Sequence, residues 1–383
     1  MNRPFLCTLA LAALLSAAGC RGTSSASSAE AVSCDTLIYA RGLKIARCGD
    51  YDRVTLRDPW DTLKTRRTYI LASRELLSRR PGLGDTLSAQ GTLIATPVRR
   101  AVIYTSVHSS LAERLGALEC IAGVCEPEYI TSDRVREAVE NHTIADLGNS
   151  TAPNVEKIIE LGTEAIIASP FENSGYGAAE KLGIPIVEAA DYMEAHPLGR
   201  TEWIKFYGLL LGCEQRADSI FADVCSRYNS LKEKATGVSS RPSLILEKKW
   251  GQTWAVPSGG SYIGCMQRDA GASYIFADIP GENSVHKSFE EVYERGCDAD
   301  FWLIKYAAAG NLTYADLKAE YQPYENFKAF KCHRIYGCNT LATSYFDDIT
   351  LRPDLILADF IHIYHPELLP DYKARYYFPL SDE

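Results

Sequence analysis

One supersecondary unit occurs twice in this chain. "PNVEKIIELGTEAIIAS", Pro153 to Ser169, begins at a proline and continues as a short helical pattern with Val155, Ile158, Ile159 and Leu161 on its apolar side. It stops at Gly162 and becomes the apolar run Ala165–Ile166–Ile167–Ala168. "KSFEEVYERGCDADFWLI", Lys287 to Ile304, repeats the plan. A short apolar run after a glycine helix stop reads as a buried strand. Each copy also carries a glutamate in its first helical turn, Glu156 in one and Glu290 in the other.

Similar units surround both copies. "AVIYTS" (Ala101–Ser106), "CIAGV" (Cys120–Val124) and "IPIVEA" (Ile184–Ala189) read as buried strands, with "SSLAERLG" and "GYGAAEKLG" as helices between them. A second series follows, with "SLILEKK", "SYIFAD", "FWLIKY" and "HRIYGC" as strands and "RPDLILADFIHIYHPEL" as a helical tail. Strands alternating with helices imply mainly parallel sheets covered on both faces. Between the series, Gly199 to Ala235 contains no proline, and apolar residues from Trp203 to Leu231 recur at three- and four-residue spacing. The spacing predicts one helix of roughly 50 Å at 1.5 Å per residue, or two nearly collinear helices meeting at Gly212. Residues 31 to 98 alternate in short runs broken by Gly, Asp and Pro, as hairpins do.

The expected fold is therefore α/β, with two Rossmann-like lobes joined by one long rigid helix and an N-terminal β-hairpin extension. The expected boundaries are a signal peptide at 1–20, a tether at 21–33, and an extension packed on lobe one at 34–98. Lobe one follows at 99–196, the connecting helix at 197–236, and lobe two with its helical tail at 237–383. Two open sheets facing each other make a cleft at the C-terminal ends of their strands, where such sheets bind ligands.

The N-terminus is a targeting signal. Arg3 precedes the apolar run Leu9–Ala18, which is too short to span a bilayer. "AAGC" resembles a lipobox with Cys20 as the lipidated first residue, although Ala17 stands where leucine is commoner. The polar stretch Arg21–Glu30 reads as a flexible tether. A net charge of −9 without a long basic run argues against nucleic acid. Leaving out Cys7 and Cys20, ten of the twelve cysteines remain, and none falls in a CxxC or a Cys/His zinc spacing. In an exported chain these are disulfides or buried thiols. Cys34 and Cys48 lie as partners across a hairpin would, and Cys332 and Cys338 are close in sequence.

The order and spacing of "LGNSTAPNVEKIIELGTEAIIAS", "KLGIPIV", the long helix, "GGSYIGCMQRDAGASYIFAD", "SFEEVYERGCDADFWLI" and the tail carry a resemblance. From about Pro97 to Leu380 the chain resembles a periplasmic substrate-binding lipoprotein of an iron-siderophore/cobalamin-type ABC importer. The resemblance implies a lipid-anchored periplasmic monomer that needs no cofactor. Its ligand would be a metal chelate: a ferric siderophore first, then cobalamin or haem. Its partner would be an ABC permease dimer with its ATPase. It further implies that Glu156 and Glu290 dock on arginines of the two permease subunits. One acidic knob per lobe also suits a two-fold symmetric partner on physical grounds. A free zinc or manganese binder is the further alternative. Catalysis is not expected: GxSxG and HExxH are absent.

Loops after strands supply the ligand-binding candidates. In lobe one these are His108, Asn149, Phe171 and Tyr176. In lobe two they are Trp250, Trp254, Tyr262, His286, Lys305, Tyr345 and Phe346. Aromatic rings suit a broad flat ligand, with a few polar groups fixing its orientation. His108 and His286 could ligate an iron or cobalt centre, but a hydrogen-bonding role is commoner, and no residue is assigned to metal. Lys248, Lys249 and Lys305 would favour an anionic ferric chelate.

Overall fold

Two-faced burial defines the first lobe. Its strands are β6 (Ala101–Ile103), β7 (Ile121–Val124), β8 (Ala145–Asp146), β9 (Ala165–Ala168) and β10 (Ile186–Glu188), which follow the five strands of the N-terminal extension. They form a parallel sheet in the order β10-β9-β6-β7-β8. Val102 and Ile166 pack on one face with Ile158, whereas Ala101, Ile103, Ala165 and Ile167 pack on the other with Leu111 and Phe206. Apolar side chains on both faces require cover on both, so the strands carry almost no polar residue.

The structure, a computed structural model, describes residues 33–35 and 37–383. The signal peptide, Cys20 and nearly all of the tether lie outside the described residues, as does the side chain of Cys34.

Lobe two repeats the plan. Its strands include β11 (Ser243–Leu246), β12 (Lys249–Trp250), β13 (Thr253–Pro257), β14 (Ser273–Tyr274), β15 (Ser284–Lys287), β16 (Phe301–Tyr306), β17 (Ile335–Asn339) and β18 (Phe378–Pro379). One sheet runs β14-β11-β16-β17-β18, parallel except for its last strand. β12, β13 and β15 form a separate antiparallel sheet from a stretch that reads as a ligand-facing loop in the sequence.

The segment between the lobes departs from the expected continuous or collinear helix. Helices Pro197–Glu202 and Ile204–Leu211 belong to the first lobe, and the connector proper is the 23-residue helix Glu214–Thr236. Gly212 adopts φ 73°, a left-handed conformation that glycine tolerates best. The chain reverses there, so that a Cβ on Gly208 would meet the Cβ of Ala217 at 2.6 Å. At 1.5 Å per residue the connector is about 34 Å long. Ala217 and Phe221 lie in the first core, Val224, Tyr228 and Ala235 in the second. Leu198 of lobe one is buried in the second core, and Leu351 of lobe two in the first.

The extension is a five-stranded sheet of β1 (Ser33–Asp35), β2 (Leu43–Arg47), β3 (Tyr51–Arg57), β4 (Thr65–Ser73) and β5 (Thr92–Thr96). Three buried glutamates hold it to the segment 188–202. Glu202 accepts from the N–H groups of Ile38, Tyr39 and Ala40 at 2.8–3.0 Å. Glu194 accepts from those of Arg41 and Gly42 and from the indole of Trp203. Glu188 pairs with Arg66 and Arg67. Buried carboxylates are tolerated because each is saturated with donors.

The expected disulfides do not form. Cys48, Cys332 and Cys338 are free thiols, as are the other described cysteines assigned a state. Cys34 aligns with Ala46 rather than Cys48 in the β1–β2 register. Cys332 is exposed at the end of a short helix, while Cys338 faces the core of lobe two, where burial pushes its thiol up to about 12.

Candidate functional site

Strand C-termini of the two lobes converge on one cavity of about 610 Å³. Lobe one contributes Tyr104–Val107 after β6, Glu126 to Thr131 after β7, Ser150 and Thr151 after β8, and Ser169 to Tyr176 after β9. Lobe two contributes Ala307 after β16 and Thr340 to Asp347 after β17. Each loop leaves its sheet at the same edge, because parallel strands all end there.

The cavity keeps large apolar groups in the open. Tyr129 and Phe171 from lobe one and Leu341 and Phe346 from lobe two are each at least 50 % exposed. They account for four of the nine exposed large hydrophobic residues among those described. Exposed apolar side chains gathered in a concave site mark a ligand surface. Polar atoms here also lack partners: the hydroxyls of Tyr104 and Tyr176 and Oδ1 of Asp347 are buried without a hydrogen bond.

A second cavity of about 710 Å³ shares Phe346 with the first. Trp250, Tyr262, His286 and Lys305 line it. Tyr262 is itself buried, its hydroxyl donating to the carbonyl of Ile349 at 2.5 Å, and Arg200 lies over its ring at 4.0 Å. Lys305 is ion-paired with Glu247, and Lys248 with Glu320 at 2.5 Å. These two lysines are thus already neutralised within lobe two, which removes the case for an anionic chelate drawn from them.

Four candidates stand elsewhere than expected. Trp254 is fully buried: β13 alternates, and its indole donates to the carbonyl of Leu246 at 2.9 Å and stacks on Trp302. Tyr345 is fully buried with its ring edge-on to Phe346, Tyr376 and Tyr377, and it only backs the second cavity. Asn149 is not a wall residue; its Oδ1 accepts from the N–H and hydroxyl of Thr151 and shapes the loop. His108 lies within helix Ser106–Arg114 and is buried against Asp191 and Thr105. Burial would raise the Asp191 carboxyl, but His108, Arg200 and Tyr207 hold it below the ordinary value.

Phe171, Tyr176 and Phe346 do reach the first cavity. The residues not foreseen are Tyr104, Glu126, Glu128, Tyr129 and Thr131, whereas Leu341 and Asp347 belong to the same segment as the expected Tyr345 and Phe346. The "CEPEYIT" loop was findable, since it follows a strand recognised in the sequence and the strand-end rule applies to it equally.

Glu156 and Glu290 line neither cavity. Both are exposed, and each is the second residue of its helix, after caps Asn154 and Ser288. The adjacent Glu291 is engaged in a capping box and pairs with Lys287, which separates its role from that of Glu290.

Two parallel-sheet lobes, a helix shared by their cores and a ligand-sized cavity between them define a two-lobed solute-binding protein. The periplasmic binding protein family model matches residues 102–340, and the chain belongs to that family. It is 27% identical over 313 residues to an uncharacterized lipoprotein of Methanocaldococcus jannaschii, covering 79% of this chain and 72% of the relative. It is similar in fold to a possible iron-binding periplasmic solute-binding protein of Staphylococcus epidermidis, with TM-score 0.55, 16% identity and coverage of 70% and 99%. It is also similar to an Fe3+-hydroxamate ABC-type transport protein of Saccharomonospora viridis, with TM-score 0.51, 18% identity and coverage of 70% and 92%.

Proposed function

We propose that this protein is the lipid-anchored substrate-binding component of an ABC importer, capturing a metal chelate, foremost a ferric siderophore, and delivering it to a membrane permease. The carrying observation is the cavity between the lobes, where both lobes hold apolar side chains exposed beside hydroxyls that have no protein partner. A flat or globular organic complex satisfies both kinds of surface; a bare ion satisfies neither. Among the described residues no group of three or more His, Cys, Asp or Glu is placed to hold a metal ion. That weighs against a free zinc or manganese ligand. The iron and ferric-hydroxamate systems of similar fold support the ligand class. The lipoprotein relative supports anchoring through Cys20. No helix of the described residues is long and apolar enough to cross a membrane.

The test is a fluorescence-quenching titration against ferric siderophores, cobalamins and hemin. Saturable binding of a ferric siderophore supports the reading. Binding of cobalamin or hemin alone moves the ligand to that alternative, and binding of none overturns it.

A further inference from the structure

The ionised groups of the first cavity all carry one sign. Glu126, Glu128 and Asp347 line it, and among the described residues no Lys, Arg or His does. Asp347 is 2% exposed; its Oδ2 accepts from the backbone N–H of Thr131 at 3.3 Å and from the Thr131 hydroxyl, while Oδ1 has no partner. A buried carboxylate oxygen left without a donor asks for one from whatever fills the space beside it. Glu126 is held on the rim by the N–H and hydroxyl of Ser150, at 3.3 and 3.0 Å. Two nearby cations are paired elsewhere, Arg114 with Asp348 and Arg134 with Glu113 at 3.7 Å, while Arg200 of the adjoining cavity donates to the carbonyls of Tyr192 and Glu194.

We propose that this cavity selects a cationic metal chelate, one that offers an ammonium or N–H donors to Asp347 and the two glutamates, and that it discriminates against anionic chelates. The proposal rests on the chelate reading above and narrows it. A polyanion entering the cavity meets three carboxylates, of which Asp347 is buried and the two glutamates stand at the solvent-exposed rim, and their repulsion is strongest at Asp347. A cation gains the same interactions with reversed sign. The remaining wall is uncharged hydroxyl and aromatic surface, which accepts either species, so charge sets the preference.

The test uses the full-length protein in detergent and three ferric complexes of one linear tris-hydroxamate. The parent carries a free terminal ammonium and a net charge of about +1; N-acetylation makes it neutral and N-succinylation makes it about −1. Affinity should fall in that order by at least about tenfold overall. The spread should shrink in 0.5 M salt to the extent that the charges remain solvent-accessible. In Glu126→Gln/Glu128→Gln, a pair at the cavity rim that leaves the core intact, it should narrow with no change in melting temperature. Asp347→Asn should reduce the preference further and is read beside its own melting curve. Equal or tighter binding of the succinylated complex overturns the charge selection while leaving the chelate reading in place. If none of the three binds but hemin, with its two carboxylates, does, the cationic assignment is wrong and the cavity is a haem site. Failure of every chelate, hemin and cobalamins included, sinks the chelate reading itself.

Discussion

His108 Nε2 lies 2.9 Å from Asp191 Oδ1, with both side chains buried. Tyr207 donates to the same oxygen at 3.1 Å, and Thr350 of lobe two donates to the other at 3.3 Å. Through Thr350 the pair joins lobe one to lobe two, and neither residue lines the ligand cavity. Asp191→Asn should destabilise the protein by about 1–3 kcal/mol, because the buried donors around it lose the carboxylate that accepts from them. The folded-state carboxyl lies below its ordinary value of about 3.9. Its contribution is thus complete above that value and is lost as pH falls through the lower folded value. Urea unfolding from pH 7 down to 3 should show the gap between wild type and Asp191→Asn closing only below about pH 4.

Trp250 and Trp254 should separate cleanly. Trp250 is 86% exposed beside the second cavity, whereas Trp254 is fully buried. Trp254→Ala should cost about 3–5 kcal/mol. Trp250→Ala should stay within about 0.5 kcal/mol of wild type. Thermal denaturation of the two variants decides it; equal melting temperatures would contradict the burial.

Replacing Glu156 and Glu290 together by alanine should leave ligand affinity unchanged and cripple import. Losing one member of a desolvated interfacial pair costs about 2–5 kcal/mol, and a rim pair mainly slows association. Transport assays in proteoliposomes, run beside a ligand titration, test both halves. Normal import by the double variant would reduce the glutamates to helix-favouring residues.

Glu202 satisfies three successive backbone N–H groups of the extension. Glu202→Ala leaves those donors without their acceptor, at about 1–3 kcal/mol for each that stays buried. Faster amide exchange at Ile38, Tyr39 and Ala40, with strands of lobe two unaffected, is the expected signature. Unchanged protection there would mean that other contacts hold the extension.

The α/β class and most sheet strands were legible because runs such as Ala165–Ala168 are apolar on both faces, and few other structures use such runs. The turn at Gly212 is not legible in the sequence. The apolar spacing on either side of it suits two helices packed against each other as well as two in line, and a glycine permits both. Trp254 was misplaced because β12 and β13 are short, and the tight turn near Gly251 reads as part of a loop. Tyr345 was misplaced for a different reason: its exposed neighbour Phe346 and the adjacent acidic residues resemble a surface. The one-sign lining could not be read at all. Glu126, Glu128 and Asp347 are far apart in the chain, and only the fold brings them to one cavity while diverting Lys305 and Lys248 to Glu247 and Glu320.

The helix Glu214–Thr236, anchored in two cores, also limits what a transporter can sense. A loop hinge absorbs domain motion in a few backbone torsions. A helix fixed at both ends has none to give, and bending it stretches its own hydrogen bonds. On the proposed role in import, the outline presented to the permease should change little between loaded and empty protein, so empty copies should compete with loaded ones for it and an excess of unloaded protein should slow uptake.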